Sequence, residues 1–294
     1  MISRRRLLVA QAFWFLAGCG LTQAPQTGIN KLTIGVIAYG EGGGSVDHYE
    51  RFIDYLEGQV KAIAELEPAY NEIQAMEQIR RRAWSLVFAP PGLAAIAVAK
   101  AQYTPLFPLE GVDNLSSALI VLKDSPIEKL SDVNGQILAL GQPGSATGYY
   151  VPLYELYGTT PAEVRIAPTP KTVLQWIADG DVGIGAMSKD EFERYRSEFS
   201  GAQFTVLHTS RRIPSGSVLV SSTVEANQQD LIQNAMENVV PAIAQEVGYI
   251  PNADPPDYKL LIDFIKKVEP IESRIREKPA PLYKPGEQVR PPGG

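Results

Sequence analysis

Short β-branched and aliphatic runs alternate with longer stretches in which apolar residues recur every three or four positions. Lys31 to Ala38 predicts a buried strand feeding a Gly-rich loop, Gly40 to Ser45. Val46 to Ala64 predicts a helix that gathers Tyr49, Phe52, Ile53, Leu56 and Val60 on one face. Glu72 to Arg82 repeats the helical pattern through Ile73, Met76 and Ile79, and Trp84 to Ala89 predicts a second buried strand stopped by Pro90 and Pro91. Strand and helix in alternation predict an α/β sheet with parallel strands.

Ser117 to Leu122 starts a new sheet, continued by a strand at Gln136 to Leu140, the loop Gly141 to Gly148 and a helix from Tyr149 to Leu156. Val173 to Ala178 predicts an amphipathic helix ending at Gly180, and Val182 to Met187 a strand. Ser215 to Val220 gives one more strand before long helices at Gln228 to Val247 and Asp257 to Val268. The layout predicts two lobes, with the last third returning to complete the first.

The ends of the chain differ from this body. Arg4, Arg5 and Arg6 precede an apolar run from Leu7 to Ala17, of signal-peptide length and too short to span a bilayer. Gly20 to Asn30 reads as a flexible tether, and the proline-dense stretch from Lys278 to Gly294 as an extended tail. Cleavage after residue 18 removes three arginines and no acids, leaving 24 basic and 33 acidic residues, a net charge of −9. Such a surface suits neither nucleic acid nor anionic lipid. The chain has one cysteine and two widely separated histidines, so no intramolecular disulfide and no transition-metal cluster is expected.

Leu16-Ala17-Gly18-Cys19 closes the export segment and resembles the lipobox of bacterial lipoproteins. That resemblance implies cleavage before Cys19, acylation of its thiol (palmitate among the acyl groups), and a mature chain anchored in a cell membrane, facing the periplasm or the exterior. Ser3-Arg4-Arg5-Arg6-Leu7-Leu8 also resembles a twin-arginine export signal, which leaves the route open.

The loop Gly141 to Gly148 carries the most site-like chemistry. A strand end, glycines, then Ser145 and Thr147 at a helix start place free backbone N–H groups and a positive helix end together, suited to an anion. The same two hydroxyl residues also suit a plain helix cap, and the sequence leaves both readings open. Tyr39 and Ser45 flank the first Gly-rich loop at the carboxyl end of a strand, where open α/β sheets place their ligands, and Tyr149 stands at the mouth of the second loop. Lys171 offers a cation or a solvated loop residue; Arg80 to Arg82 reads as an exposed helix end.

Ile34 to Ile37, the Leu86-Val87-Phe88-Ala89-Pro90-Pro91 turn, Asp124 to Ile127 leading into Leu130 to Gly135, and Gly144 to Pro152 together resemble the phosphate/phosphite/phosphonate-binding family of ABC-importer solute receptors. The resemblance implies a type 2 periplasmic-binding fold: α/β, two lobes, each a mixed sheet flanked by helices, with two hinge crossings. On that reading residues 1–18 are the signal peptide and 19–30 the tether. Residues 31–115 plus 216–277 form one lobe, 116–215 the other, and 278–294 the tail. Crossings are expected near Asp113 to Ser117 and Ile213 to Ser217.

The family's Ser-Thr-Ser-Gly loop matches at Ser145, Thr147 and Gly148, while Ala146 stands at its central threonine. Its histidine position falls on Pro170, beside Lys171, and its aspartate on Gly183; an aromatic is absent around Leu93 and Ala94. The expected ligand set is therefore Tyr39, Ser45, Pro90, Ser145, Ala146, Thr147, Gly148 and Tyr149, with Cys19 as the lipidation site and no catalytic or metal-binding residue. No cofactor is expected. The implied function is a non-enzymatic, monomeric receptor that closes on a small oxyanion and presents it to an ABC permease. The alternative is a surface sensory or assembly lipoprotein that keeps the fold and binds no phosphonate.

Overall fold

The computed structural model describes residues 31–38, 46–111 and 115–287. In the first sheet β1 (Lys31–Ile37) runs parallel to β2 (Ile63–Ala69) on one side and β3 (Leu86–Ala89) on the other. The chain later returns as β10 (Ser217–Val220), antiparallel to both β3 and β4 (Thr104–Pro108), giving the order β2-β1-β3-β10-β4.

Several elements differ from the sequence expectation. The helix expected from Val46 is a 3₁₀ turn, Val46–Tyr49, followed by α1 (Glu50–Val60), which ends where Lys61 takes a left-handed conformation and donates its N–H to Glu57 O. The next residues, Ile-Ala-Glu-Leu-Glu-Pro-Ala, form β2 because pairing along β1 overrides their helical composition. Pro68 fits there since β2 is an edge strand. After α2 (Glu72–Arg81) and β3, Pro91 does not merely stop a strand. It is the first residue of α3 (Pro91–Ala101), a position where its missing N–H costs nothing. Gly92 through Ala97 are all buried, as befits a helix that is apolar nearly all round. The long C-terminal helix is two, α7 (Ala226–Glu237) and α8 (Pro241–Val247), divided before Pro241.

The second sheet has the order β7-β6-β8-β5-β9. Parallel β6 (Ile137–Leu140), β7 (Glu163–Ile166) and β8 (Ile184–Ser188) are joined by β5 (Ser117–Leu122), which pairs antiparallel with β8 and β9 (Phe204–Thr209). Helices α4 (Val151–Glu155), α5 (Pro170–Ala178) and α6 (Lys189–Tyr195) follow β6, β7 and β8. Of the described residues between the two sheets, 115–116 on one crossing and 210–216 on the other are bonded through Ile213 N–H to Leu115 O at 2.9 Å. Ser117 N–H and Ser210 Oγ, also 2.9 Å apart, fasten the start of β5.

Each sheet has its own apolar cluster, built around Phe52, Phe88 and Tyr249 in the first and Val173, Ile177 and Phe192 in the second. A third cluster belongs to both. It runs from Trp84, Val87 and Leu93 through Leu138, Tyr149 and Leu153 to Leu261, Phe264 and Val268 of α9 (Lys259–Val268). Trp84 is wholly buried and packs on Gly35, where a Cβ would stand 2.0 Å from its ring. Beyond α9 residues 280–282 lie along 158–161 and exchange backbone hydrogen bonds with them.

Candidate functional site

The parallel strands of both sheets end at the same interface. On the first lobe β3 ends in Pro90, the extended residue before α3; on the second, β6 ends in the loop 141–148. Gly92 packs directly on that loop: a Cβ at Gly92 would stand 2.1 Å from Gly144 O and 2.7 Å from Ala146 N. Gly144, at φ +110, is covered from the first lobe as well, since a Cβ there would meet Glu72 Cβ at 2.8 Å and Leu93 Cδ2 at 3.1 Å.

The loop is tightly closed on itself. Gly141 N–H donates to Gly148 O (2.8 Å), and Ser145 N–H to Gln142 O (3.1 Å). Ser145 Oγ accepts from Gly148 N–H (3.0 Å), so Ser145 caps the π-helical turn Ala146–Tyr150. Tyr150 N–H closes that turn on Ser145 O (3.1 Å). Ala146 and Thr147 open it, ahead of any acceptor within the helix, and Ala146 N lies beneath Gly92 of the first lobe. Ser117 Oγ donates to Thr147 O (2.6 Å), tying the loop to the hinge.

The structure holds Ser145, Ala146, Thr147 and Gly148 in one capped turn beneath Gly92, while Pro90, two residues earlier, lies against Gly216. Tyr149 begins there but turns away: its ring is buried and its hydroxyl bonds to Glu272. Burial, with the Glu272 charge adding to it, pushes the Tyr149 phenol above the ordinary tyrosine range, and burial does the same to Tyr150, against which a backbone hydrogen bond with Gly144 acts. Lys171 is half exposed and paired with Glu198 at 2.8 Å, which raises its ammonium pKa. Gly183 lies at the opposite, amino end of β8, against Gln136. Tyr39, Ser45 and Cys19 lie outside the described residues.

Sequence reasoning passed over several residues at this edge. Among the described residues, Gln142 Oε1 and Asp190 Oδ2 are buried acceptors with no hydrogen-bond donor, the first following β6 and the second at the start of α6. Ser188 ends β8, caps α6 by accepting from Glu191 N–H (3.0 Å), and faces Ser117 across the sheet. A signal existed for Gly92, a glycine directly after a Pro-Pro turn. Gln142 and Asp190 carried none, being ordinary loop and helix-start residues until the fold places them at one edge.

Among the described residues no group of three or more His, Cys, Asp or Glu could hold a metal ion, and no helix is long and apolar enough to cross a membrane. No curated protein matches the chain. Among solved structures it is similar to XAC2383 of Xanthomonas citri bound to chloride, with TM-score 0.65, 21% identity, and coverage of 80% of this chain and 95% of that one. It is also similar to a binding protein component of an ABC phosphonate transporter from Pseudomonas aeruginosa, with TM-score 0.62, 17% identity and coverage of 84% and 87%. PhnD1 of Prochlorococcus marinus in complex with methylphosphonate matches with TM-score 0.63, 14% identity and coverage of 82% and 98%. At these identities the likeness is one of fold: two lobes of mixed sheet flanked by helices. The sequence itself matches the family model for periplasmic substrate-binding proteins of ABC phosphonate transporters over residues 34–249, and the chain belongs to that family, whose members are binding components rather than enzymes.

Proposed function

We propose that this protein captures a small oxyanion, of the phosphate, phosphite or phosphonate kind, between its lobes and delivers it to a membrane permease. The observation that carries this reading is the loop 141–148: a glycine-rich strand end running into a Ser145-capped helical turn whose Ala146 and Thr147 amides are directed out of the helix. The first lobe touches this second-lobe loop through Gly92, Leu93 and Glu72, so a solute held there contacts both lobes and stabilises the closed form. Gln142 Oε1 and Asp190 Oδ2, buried acceptors following β6 and β8, favour a solute that carries hydrogen-bond donors beside its oxyanion. The lipobox-like ending at Cys19 supports a lipid tether that keeps the receptor beside its permease.

One observation favours the second reading, a protein that keeps the fold as a sensory or assembly lipoprotein. Gly92 sits on Gly144 and Ala146 at van der Waals contact, and Tyr149 and Lys171 are spent on Glu272 and Glu198. A thermal-shift screen against phosphate, phosphite, methylphosphonate, other oxyanions and amino acids separates the two. A solute at ~100-fold its dissociation constant adds about 2.7 kcal/mol to a protein it binds only when folded. A clear shift with one oxyanion supports the receptor; a folded protein silent across the panel supports the second reading.

A further inference from the structure

The segment from Tyr258 to Glu287 is attached to both lobes along its length. On the side of the first lobe and the hinge, Tyr258 donates its hydroxyl to Ser215 O (2.8 Å), and Glu269 pairs with Lys100 at the end of α3. Leu261, Phe264, Ile265 and Val268 share one buried cluster with the apolar residues of α3. On the second lobe, the Phe264 ring stacks on Tyr154 of α4, with centroids 3.9 Å apart and planes at 22°. Lys267 lies over the Tyr157 ring at 3.9 Å and pairs with Glu287 at 3.1 Å, while Tyr157 donates its hydroxyl to Glu287.

The last part of the segment is fixed by backbone bonds to the second lobe. Ala280 N–H donates to Pro161 O (2.8 Å), Gly158 N–H to Leu282 O (2.9 Å) and Leu282 N–H to Thr159 O (2.9 Å), with Lys278 on Glu163 at 2.9 Å beside them. Glu272 adds a bond to Tyr149 next to the loop itself. Separating α3 from α4 requires α9 to give up its apolar contact with one of them, because its Phe264 face is packed against both.

We propose that residues 258–287 form a clasp that holds the two lobes together, so that release of the clasp, and not the solute alone, governs access to the loop 141–148. The clasp acts through apolar packing and backbone pairing, which salt does not screen, unlike the ion pairs at its rim. This goes beyond the assignment of a ligand, since the device operates whichever solute the cleft takes.

Spin labels at R81C on α2 and Q175C on α5, in the full chain carrying C19S, measure the separation of the lobes. The unaltered clasp is expected to give one narrow distance distribution. Phe264→Ala, and separately a chain ending at Glu277, are expected to add a population displaced by more than ~2 Å. A broad distribution with the clasp intact, or an unchanged narrow one in both variants while circular dichroism reports them folded, overturns the proposal. Should both variants fail to fold, hydrogen exchange of the unaltered protein decides. Gly158 and Leu282 amides exchanging at least ~10-fold slower than those of exposed loops support the clasp, and exchange at loop rates overturns it.

Discussion

Gly92 lies so close to Gly144 that a Cβ on Gly92 would stand 2.1 Å from the Gly144 carbonyl oxygen. One residue begins α3 of the first lobe; the other lies in the loop that follows β6 of the second. This pair is where the carboxyl ends of the two sheets meet, the place at which open α/β folds put their ligands. A side chain at either position would hold the lobes apart.

Gly92→Ala is therefore expected to destabilise the protein by about 1–3 kcal/mol, since the added methyl meets backbone that has no rotamer to yield. Helix propensity alone predicts the opposite sign. Gly58→Ala is the control: it sits in α1 with nothing within 4 Å of an added Cβ and should gain about 0.5–1 kcal/mol. Urea unfolding of both variants checks the pair, and equal gains would show that Gly92 is free of the loop.

Burial raises the carboxyl pKa of Glu272 above 4.5 in the folded protein, and its bond from Tyr149 only partly offsets that. A raised folded pKa contributes stability that is complete below the unfolded value and lost as pH rises through the folded one. Glu272→Gln keeps an acceptor for Tyr149 and cannot ionise. Its melting temperature should exceed that of the parent at neutral pH, and the gap should close by about pH 4, where both side chains are neutral. A constant gap across that range would assign the effect to something other than the charge.

Tyr49 is pushed up to about 12 by burial against Phe88. Its phenol is therefore neutral in the fold at a pH where the unfolded chain has ionised, and the stability linked to it is full below 10 and lost as pH rises toward 12. The difference in tyrosinate absorbance between the parent and Tyr49→Phe, followed together with the unfolding free energy between those values, should rise only as the parent unfolds. A Tyr49-dependent tyrosinate signal near 10 in protein that is still folded would contradict the burial of Tyr49.

If the proposed lipid tether is attached at the lipobox-like ending, Cys19→Ala should release the protein from membranes into the soluble fraction. Membrane association that survives the change, after an alkaline wash, would place the attachment elsewhere.

Much of the architecture was legible where side-chain pattern and tertiary role agree. Lys31 to Ile37, Ser117 to Leu122 and Ser217 to Val220 are buried β-branched runs, and each is a strand as expected. The strand Ile63–Ala69 was not legible, because Glu65, Glu67 and Pro68 read as helix or turn until β1 supplies a partner. Helix α3 was hidden by the reverse problem. Its residues are apolar on every side, so no amphipathic period marks it, and Pro91 looks like a stop instead of a first turn. The candidate loop was found from its glycines and hydroxyls. What faces it was not, since Gly92, Glu72 and Leu93 reach it only by the meeting of two lobes. The fate of Tyr149 could not be read either, because its partner Glu272 is far along the chain.

The most direct test of a solute site at the loop 141–148 is isothermal titration calorimetry of methylphosphonate, phosphite and phosphate into the parent protein and into the Ser145→Ala, Thr147→Ala double variant. Saturable binding of one oxyanion to the parent, lost in a double variant that keeps its circular dichroism spectrum, is the expected result. Loss of the Ser145 cap alone costs about 1 kcal/mol, small enough for the fold to survive. Binding unchanged by the double substitution, or no binding of any of the three to folded parent, would contradict the assignment.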